Sequence, residues 1–130
     1  MKLEDNGNCF VCGENNPSGL KLSFKLIENK ITSEFTPSAC HQGYKNITHG
    51  GIITALLDEA MIQAALNCGL APVTADINVR FRKPLFTGHR SYIEAEIVKK
   101  SSRVIEAKAR LTSYSDGDIL AEAHAKLLIK

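Results

Sequence analysis

The chain lacks any apolar run long enough to cross a membrane, since a spanning helix needs ~20 consecutive apolar residues. The N-terminal stretch, MKLEDNGNCF, also lacks the apolar core of a signal peptide. The composition, with 44% hydrophobic and 23% charged residues, is typical of a globular protein with one domain. We therefore expect a soluble, cytoplasmic, single-domain protein.

A strong charge of one sign is lacking too. With 16 basic and 14 acidic residues, the net charge of +2 is too balanced to indicate nucleic-acid binding. Internal repeats and low-complexity tracts are absent as well. The four cysteines lie in a chain without an export signal, where thiols are more common than disulfides. The sequence thus predicts neither a nucleic-acid nor a membrane partner.

The N-terminal part is predicted to form an arm followed by a hairpin. Residues 1–19 are polar and rich in turn-forming residues, as in GENNPSG, and are predicted to form a loop or arm. Apolar and polar residues alternate strictly from Leu20 to Leu26, which predicts a half-buried strand. After the turn ENK, a return strand is predicted over residues 31–35. This hairpin would open a domain that covers residues 20–130.

A long helix is predicted from Gly51 to about Cys68, where Ile, Ala, Leu and Met dominate and proline is absent. Gly69 is placed to end this helix as its C-terminal cap. Apolar residues occupy almost the whole circumference, so the helix is expected to be buried on most sides. Cys68 is accordingly interpreted as a core residue. Residues 37–49, which have no periodicity, are predicted to form the loop before the helix.

Further strands are predicted after the helix. Alternation begins again after Pro72 and continues until Pro84 ends the strand. Two long strands follow near residues 90–100 and 102–115, and the turn SDGD leads into a last one at 118–129. The order β-β-α-β-β-β predicts an α+β fold, in which an antiparallel sheet wraps around one long central helix. That layout resembles the hotdog fold.

The motif HGGIITALLDEAM is similar to the signature of hotdog-fold acyl-CoA thioesterases of the phenylacetyl-CoA type, in which an acidic residue lies nine positions after the histidine. His49 and Asp58 have this spacing. CFVCGENNPSGLKL and HQGYKNITHGG resemble the opening of one branch of that superfamily, and TADINVRFRKPL resembles its strand after the helix. The resemblance implies hydrolysis of an acyl-CoA thioester by a homodimer, or a dimer of dimers, with active sites across the dimer interface. No cofactor is predicted.

Asp58 is the predicted general base or nucleophile. Its neighbours one helical turn away are small or apolar: Thr54, Ala55, Met61 and Ile62. A buried carboxylate is costly unless it is paired or used in chemistry. Glu59, about 100° further round the helix, suits a solvated or interface face better and is the second candidate.

The start of the predicted helix offers donors for the negative charge that develops on a thioester oxygen. Backbone N–H groups and the helix dipole favour an anion there, and glycine allows close approach. We expect the Gly51 N–H to be the oxyanion donor, the alternative being that Gly50 and Gly51 only make a tight turn. Thr74, in VTADI, matches a family position that helps to place water or substrate. A strand threonine without a chemical role fits Thr74 equally well.

The spacing of these groups along the helix has a geometric consequence. Gly51 and Asp58 are seven residues apart, so on one helix they are separated by roughly 10 Å along the axis. A short Asp side chain cannot close that gap. Both groups reach one thioester only if they come from different subunits, with two such helices antiparallel about a two-fold axis. The sequence therefore predicts that the dimer is required for catalysis.

The second oxyanion donor departs from the family pattern. Related enzymes often have an asparagine six residues before the histidine, and Gly43 occupies that position here. Either the Gln42 side chain or a loop N–H is expected to take the role. His49 is interpreted mainly as a residue that fixes the loop by hydrogen bonding, with general-base catalysis as the alternative.

Coenzyme A carries several phosphates, so a positive patch is expected near the mouth of the substrate tunnel. Arg80 and Arg82 share a strand face and Lys83 follows them. These three residues are the predicted coenzyme A contacts. A solvated sheet face explains the same pattern as well.

The cysteines raise the question of a metal. Cys9 and Cys12 form a CxxC motif, and a tetrahedral zinc site would need two more ligands, which Cys40 and His41 could in principle supply. A single CxxC is a weak signal, and we predict a packed, metal-free N-terminal knuckle. Redox use is less favoured, since the motif does not lie between a strand and a helix.

Two other functions compete with a thioesterase. A non-catalytic acyl-CoA binding module is the main alternative, because hotdog domains also occur in regulators. A hotdog hydratase would require an Asp-x-x-x-x-His pair on the loop before the central helix, which the sequence does not contain. The presence of Asp58 on a helix that begins with two glycines favours the thioesterase over these alternatives.

Overall fold

A computed structural model describes residues 2–129. Its elements, in chain order, are β1 (Lys25–Ile27), β2 (Lys30–Phe35), a 3-10 turn (Ala39–His41), α1 (Gly50–Asn67), β3 (Pro72–Phe81), β4 (Ser91–Lys100), β5 (Val104–Ser113) and β6 (Ile119–Ile129). The strands form one six-stranded antiparallel sheet in the order β1-β2-β4-β5-β6-β3. The single long helix packs against β2, β3, β4, β5 and β6. This is the α+β hotdog architecture predicted from the sequence.

The predicted hairpin is present as β1 and β2. Ile27 and Lys30 are paired across a two-residue turn, in which Glu28 (φ 50) and Asn29 (φ 66) adopt left-handed conformations. Two consecutive positive φ angles are typical of the turn that best matches the twist of a hairpin.

The predicted start of that hairpin at Leu20 is wrong. Lys21 has a φ of 55°, which interrupts the extended backbone, and β1 covers only Lys25–Ile27. Leu22 is buried, but its backbone N–H donates to Val11 in the arm instead of to the sheet. Leu26, expected on the buried face, is 52% exposed. The apolar side chains before β1 therefore hold the N-terminal arm against the body of the protein.

Helix α1 was predicted to within one residue at each end. One face is fully buried against the sheet, and its largest side chains are Leu56, Leu57 and Met61. The opposite face, which includes Asp58 and Glu59, is only partly buried. No helix within residues 2–129 is both long and apolar enough to cross a membrane.

The interpretation of Cys68 as a core residue is wrong, because its side chain is exposed. Helix α1 ends at Asn67, and Cys68 lies at the C-cap, where its backbone N–H donates to Ala65. The chain then turns away through Gly69, whose φ of 79° is favourable for glycine.

A β-bulge in β3 decides which residue faces the helix. Thr74 lies opposite Leu127 and Asp76 lies opposite Lys126, so Ala75 is the extra residue. Directly opposed residues point to the same side of a sheet, and Leu127 is fully buried on the helix side. In a regular strand Ala75 would fill that position. The bulge therefore turns Thr74 towards α1.

Candidate functional site

Asp58 and Thr74 are brought together by α1 and β3. The Thr74 hydroxyl donates a hydrogen bond of 2.6 Å to Asp58 Oδ1 in a partly buried position. Asp58 forms no ion pair with any basic residue in the part of the chain described, and its Oδ2 has no hydrogen-bond donor there. One carboxylate oxygen is thus fixed while the other remains available to accept a proton or attack a carbonyl.

The helix start is capped by a histidine. His49 is the N-cap residue, and its Nδ1 accepts a hydrogen bond of 2.8 Å from the Gly51 N–H. An accepting Nδ1 carries no proton, so a neutral His49 ring has its proton on Nε2. The Gly51 N–H, which was predicted as the oxyanion donor, therefore already donates to the His49 side chain of the same subunit. The Gly50 N–H, in contrast, has no acceptor within residues 2–129.

Each glycine at the helix start has one neighbouring side chain. A Cβ added at Gly51 would lie 3.0 Å from His49 Nδ1, and one at Gly50 would lie 3.4 Å from Cζ of Phe81. Phe81, at the end of β3, is 54% exposed. Its exposed ring was missed in the sequence, because alternation placed it on the buried face. An added Cβ would therefore be crowded at Gly51, by the capping His49 ring, and would make only an ordinary contact at Gly50.

The loop before α1 is held around His49. The His49 backbone N–H donates to the carbonyl oxygen of His41 at 2.8 Å. Gln42 Oε1 accepts from the Asn46 N–H at 3.0 Å, which leaves the Gln42 side-chain NH₂ as the donor that remains available. The Gly43 N–H already donates to Ile47. Of the two predicted sources of a second oxyanion donor, the Gln42 side chain is the freer.

Glu59 does not lie on an open solvated face, one of the two locations predicted for it. Glu59 Oε1 accepts hydrogen bonds from the thiols of Cys9 at 3.0 Å and Cys12 at 3.1 Å, underneath the N-terminal arm. Burial raises the pKa of the Cys12 thiol above its usual range, and Glu59 raises it further. This contact joins residues about fifty positions apart, and no spacing in the sequence signals it. Because its Oε1 is committed to two thiols, Glu59 is poorly placed to replace Asp58.

Cys40 and His41 do not join the CxxC motif. His41 Nδ1 accepts from the Ser38 N–H at 3.0 Å, and its ring packs on Phe35 at a centroid distance of 5.3 Å. Within residues 2–129, the potential metal ligands that converge are Cys9, Cys12 and Glu59. The four-residue zinc set considered from the sequence is therefore not assembled.

The predicted phosphate contacts are mostly paired. Arg82 donates two hydrogen bonds to Glu122 Oε2, at 3.1 and 2.9 Å, and Lys83 Nζ lies 2.7 Å from Asp118. The Asp118 carboxylate raises the pKa of Lys83. Arg80 is exposed and forms no ion pair with any other residue of the described chain. Exposed pairs contribute little to stability, so an incoming phosphate can compete with the carboxylates.

The carboxylate and the helix start lie apart on α1. The helix start and Asp58 lie on the same straight element, seven residues apart, which is roughly 10 Å along its axis. Asp58 is paired with Thr74 at the middle of α1, whereas His49, Gly50, Gly51 and Gln42 cluster at its beginning. The structure therefore presents a carboxylate centre and a donor centre as two separate groups.

Comparison with known proteins gives a family. Residues 45–120 match the model of the thioesterase superfamily. Over 109 residues the chain is 26% identical to acyl-coenzyme A thioesterase THEM4 of Xenopus laevis, covering 84% of this chain and 49% of that protein. It is 29% identical over 103 residues to acyl-coenzyme A thioesterase 13 of Mus musculus. This match covers 76% of this chain and 73% of that protein. The chain thus spans about half the length of the first relative.

Solved structures share the fold. Thioesterase superfamily member 2 of zebra fish superposes with a TM-score of 0.82 and 18% identity, over 92% of this chain and 90% of that one. A hypothetical thioesterase protein of Streptococcus pneumoniae, solved with coenzyme A, superposes with a TM-score of 0.78 and 16% identity. The superposition covers 84% of this chain and 85% of that one. Because the family model covers more than half of the chain, including all of α1 and Thr74, this protein belongs to the thioesterase superfamily.

Proposed function

We propose that this protein hydrolyses acyl-CoA thioesters, with Asp58 as the group that activates water or attacks the carbonyl carbon. The observation that carries the proposal is the hydrogen bond from Thr74 to Asp58 Oδ1. It holds a partly buried carboxylate in one orientation and leaves Oδ2 available. The two curated relatives, both acyl-coenzyme A thioesterases by name, support the same substrate class.

The pneumococcal relative supports the choice of residues. Its structure has also been solved as two mutants, one with an aspartate and one with a threonine replaced by alanine, sixteen positions apart. Asp58 and Thr74 have the same separation. The same pair of residue types at the same spacing favours Asp58 and Thr74 as the reacting and positioning groups of this chain.

Two chemical routes are compatible with this carboxylate. As a general base, Asp58 takes a proton from a water, which attacks the thioester carbonyl and expels the coenzyme A thiolate. As a nucleophile, Asp58 attacks the carbonyl carbon itself and expels the coenzyme A thiolate, and water then hydrolyses the mixed anhydride to the free acid and the Asp58 carboxylate. Thr74 would position either the carboxylate or the attacking water. Both routes place negative charge on the former carbonyl oxygen.

The donors for that charge would come from the helix start of a partner subunit. The Gly50 N–H is open, and the Gly51 N–H becomes available when the His49 ring turns away. The Gln42 side chain is the proposed second donor. Two copies of α1 packed antiparallel would bring the donor centre of one subunit to Asp58 of the other. A homodimer is thus the proposed functional unit. We propose a dimer of dimers as the larger assembly.

The surface next to the site suits such a partner. Strand β3 lies at an edge of the sheet described here, and its backbone is open to pairing on one side. The partly buried face of α1 beside it presents apolar side chains, among them Ile52, Ala55 and Ile62. A second copy would cover both surfaces and enclose an apolar tunnel for the acyl group. Arg80, Arg82 and Lys83 are the proposed contacts for the phosphates of coenzyme A.

The test is hydrolysis of a panel of aryl-CoA and fatty acyl-CoA substrates, measured as released thiol. We expect wild type to hydrolyse at least one member and Asp58→Asn to lose that activity while keeping its oligomeric state by light scattering. Asp5→Asn, which changes an exposed aspartate of the N-terminal arm and keeps the oxygen that accepts from the Gly7 N–H, is the matched control and should stay active. Wild-type binding of acyl-CoA without turnover would favour the non-catalytic binding module. Activity that survives in Asp58→Asn would exclude this carboxylate.

A further inference from the structure

Three potential metal ligands converge where the N-terminal arm crosses α1. The thiols of Cys9 and Cys12 lie 3.0 and 3.1 Å from the same oxygen of Glu59, and the three ligand atoms all lie within 4.8 Å of one another. Each of the three residues is partly buried. The proposed hydrolysis does not use this cluster, and within it Cys9 also packs against the hydrophobic core.

The CxxC backbone is folded so that both sulfurs point to one place. The Gly13 N–H donates to the Cys9 carbonyl oxygen at 2.9 Å, and the Cys12 N–H is directed at Cys9 Sγ at 3.5 Å. A Cβ at Gly13 would lie 2.4 Å from the Cys9 backbone nitrogen, so only glycine fits the turn. Backbone N–H groups directed at sulfur stabilise a thiolate ligand. The turn is thus arranged in advance to present two sulfurs.

We propose that Cys9, Cys12 and Glu59 bind a divalent cation of the zinc type. Two thiolates and a carboxylate are ligands that Zn²⁺ accepts, and the C-x-x-C spacing is one that zinc sites use. Zinc bonds of about 2.3 Å to sulfur and about 2.0–2.2 Å to oxygen place tetrahedral ligands roughly 3.5–3.8 Å apart. The two observed sulfur–oxygen separations are therefore shorter than those of a loaded site by only roughly half an ångström, which side-chain rotation supplies.

The fourth position is next to Gln63. Gln63 follows Glu59 by one turn of α1, and its Nε2 lies 3.8 Å from Cys12 Sγ. A water bound to this amide completes the coordination, or the amide oxygen does so after the side-chain amide turns over. On binding, the two thiols release their protons to the solvent and their hydrogen bonds to Glu59 are replaced by bonds to the cation. Two thiolates and one carboxylate then outweigh the charge of the divalent cation, so the loaded site carries one net negative charge.

The metal would connect the arm to the helix beside the catalytic carboxylate. Cys9 and Cys12 belong to the arm, while Glu59 is the residue after Asp58 on α1. The arm also packs Val11 into the hydrophobic core and accepts a backbone hydrogen bond from the Leu22 N–H at the Val11 carbonyl oxygen. Metal binding therefore stabilises the folded arm directly. This role is independent of thioester hydrolysis and can be tested without a substrate.

The test uses the reduced full-length protein, purified without a metal-affinity tag. Elemental analysis for transition metals should find about one zinc per chain in wild type and in the control Cys40→Ser/Cys68→Ser, which changes the two exposed cysteines. Cys9→Ser, Cys12→Ser and Glu59→Gln should each lose most of it. Gln63→Ala should bind more weakly by roughly tenfold, as expected for a supporting group. Cobalt added to the metal-free wild type should give a thiolate-to-cobalt charge-transfer band.

The metal-free wild type keeps the test decisive even if a cysteine variant does not fold. Chelation should lower its melting temperature, and added zinc should restore it with release of protons. A folded, reduced wild type that takes up neither zinc nor cobalt overturns the proposal, as does a Cys9–Cys12 disulfide found by mass spectrometry in freshly isolated protein. Unchanged zinc affinity in Glu59→Gln overturns the assignment of Glu59 as a ligand. None of these outcomes depends on whether the protein hydrolyses acyl-CoA.

Discussion

Thr74 Oγ1 donates a hydrogen bond of 2.6 Å to Asp58 Oδ1, and the bulge at Ala75 is what makes this contact possible. Without the extra residue Thr74 would point away from α1, and Ala75 would face the carboxylate. A local irregularity in an edge strand thus selects the hydroxyl that meets the helix. The pairing identifies Asp58, and not Glu59, as the carboxylate with a partner suited to positioning it.

The Thr74 hydroxyl is expected to matter for catalysis more than for folding. Removing it in Thr74→Val takes away one charge-assisted hydrogen bond, so we expect kcat/KM to fall by roughly tenfold or more, which corresponds to ~1.5–3 kcal/mol. Thr74→Ser keeps the hydroxyl and should recover most of the activity. Thr112→Val, which removes a strand hydroxyl bonded to Tyr92, is the control. Equal activity in Thr74→Val and wild type would assign Thr74 to a purely structural role.

The backbone donor at the helix start can be removed by proline. His49 has a ψ of 134°, which is compatible with a following proline, and position 50 is the first residue of α1, where proline is well tolerated. Gly50→Pro should lower kcat by ~10²–10³, the usual effect of losing one oxyanion donor. Gly50→Ala adds the same Cβ near Phe81 but keeps the N–H. If the two variants lose activity equally, crowding and not the donor is responsible.

Sequence reasoning predicted the parts of this protein that have a regular period. The helix from Gly51 follows from composition, and the hairpin turn before Lys30 follows from alternation. In the structure, the bounds of both lie within one residue of those predicted. Leu26 and Phe81 were misplaced, because alternation assumes an unbroken strand that continues to cover the core. Glu59 was misread for another reason: its partners, Cys9 and Cys12, come from an arm without periodicity. Such contacts depend on tertiary packing, which a single sequence does not encode locally.

His49 is expected to act through the loop and the helix cap. Its Nδ1 accepts from the Gly51 N–H, so His49→Ala should remove a cap of about 1 kcal/mol and lower the melting temperature by a few degrees. Asparagine is a good N-cap residue, and His49→Asn should restore the stability. Comparing kcat in His49→Ala and His49→Asn then separates a positioning role of His49 from a role as general base. Recovery of kcat with stability supports positioning, whereas a large loss of kcat in stable His49→Asn would identify His49 as a general base.

Arg80 is expected to contribute to binding of the coenzyme A portion and not to the chemical step. It forms no ion pair within the described chain, while Arg82 and Lys83 are neutralised by Glu122 and Asp118. Arg80→Ala should therefore raise KM several-fold at low salt with little change in kcat, and added salt should reduce the difference. Lys108→Ala, which removes a lysine paired with Glu96 on the outer sheet face, is the control. An unchanged KM would leave Arg80 as an ordinary solvated residue.

The proposed site between two subunits leads to the most specific prediction. If Asp58 of one subunit acts with the helix start of the other, Asp58→Asn and Gly50→Pro disable different halves of the same site. A mixed dimer then has one site with both defects and one site with none. Random assortment makes about half of the dimers mixed, so co-expression of the two inactive variants should restore about a quarter of wild-type activity. Mixing either variant with itself gives no such site. Activity that stays at the level of the separate variants, although mixed dimers are isolated with two affinity tags, would show that each chain builds its site alone.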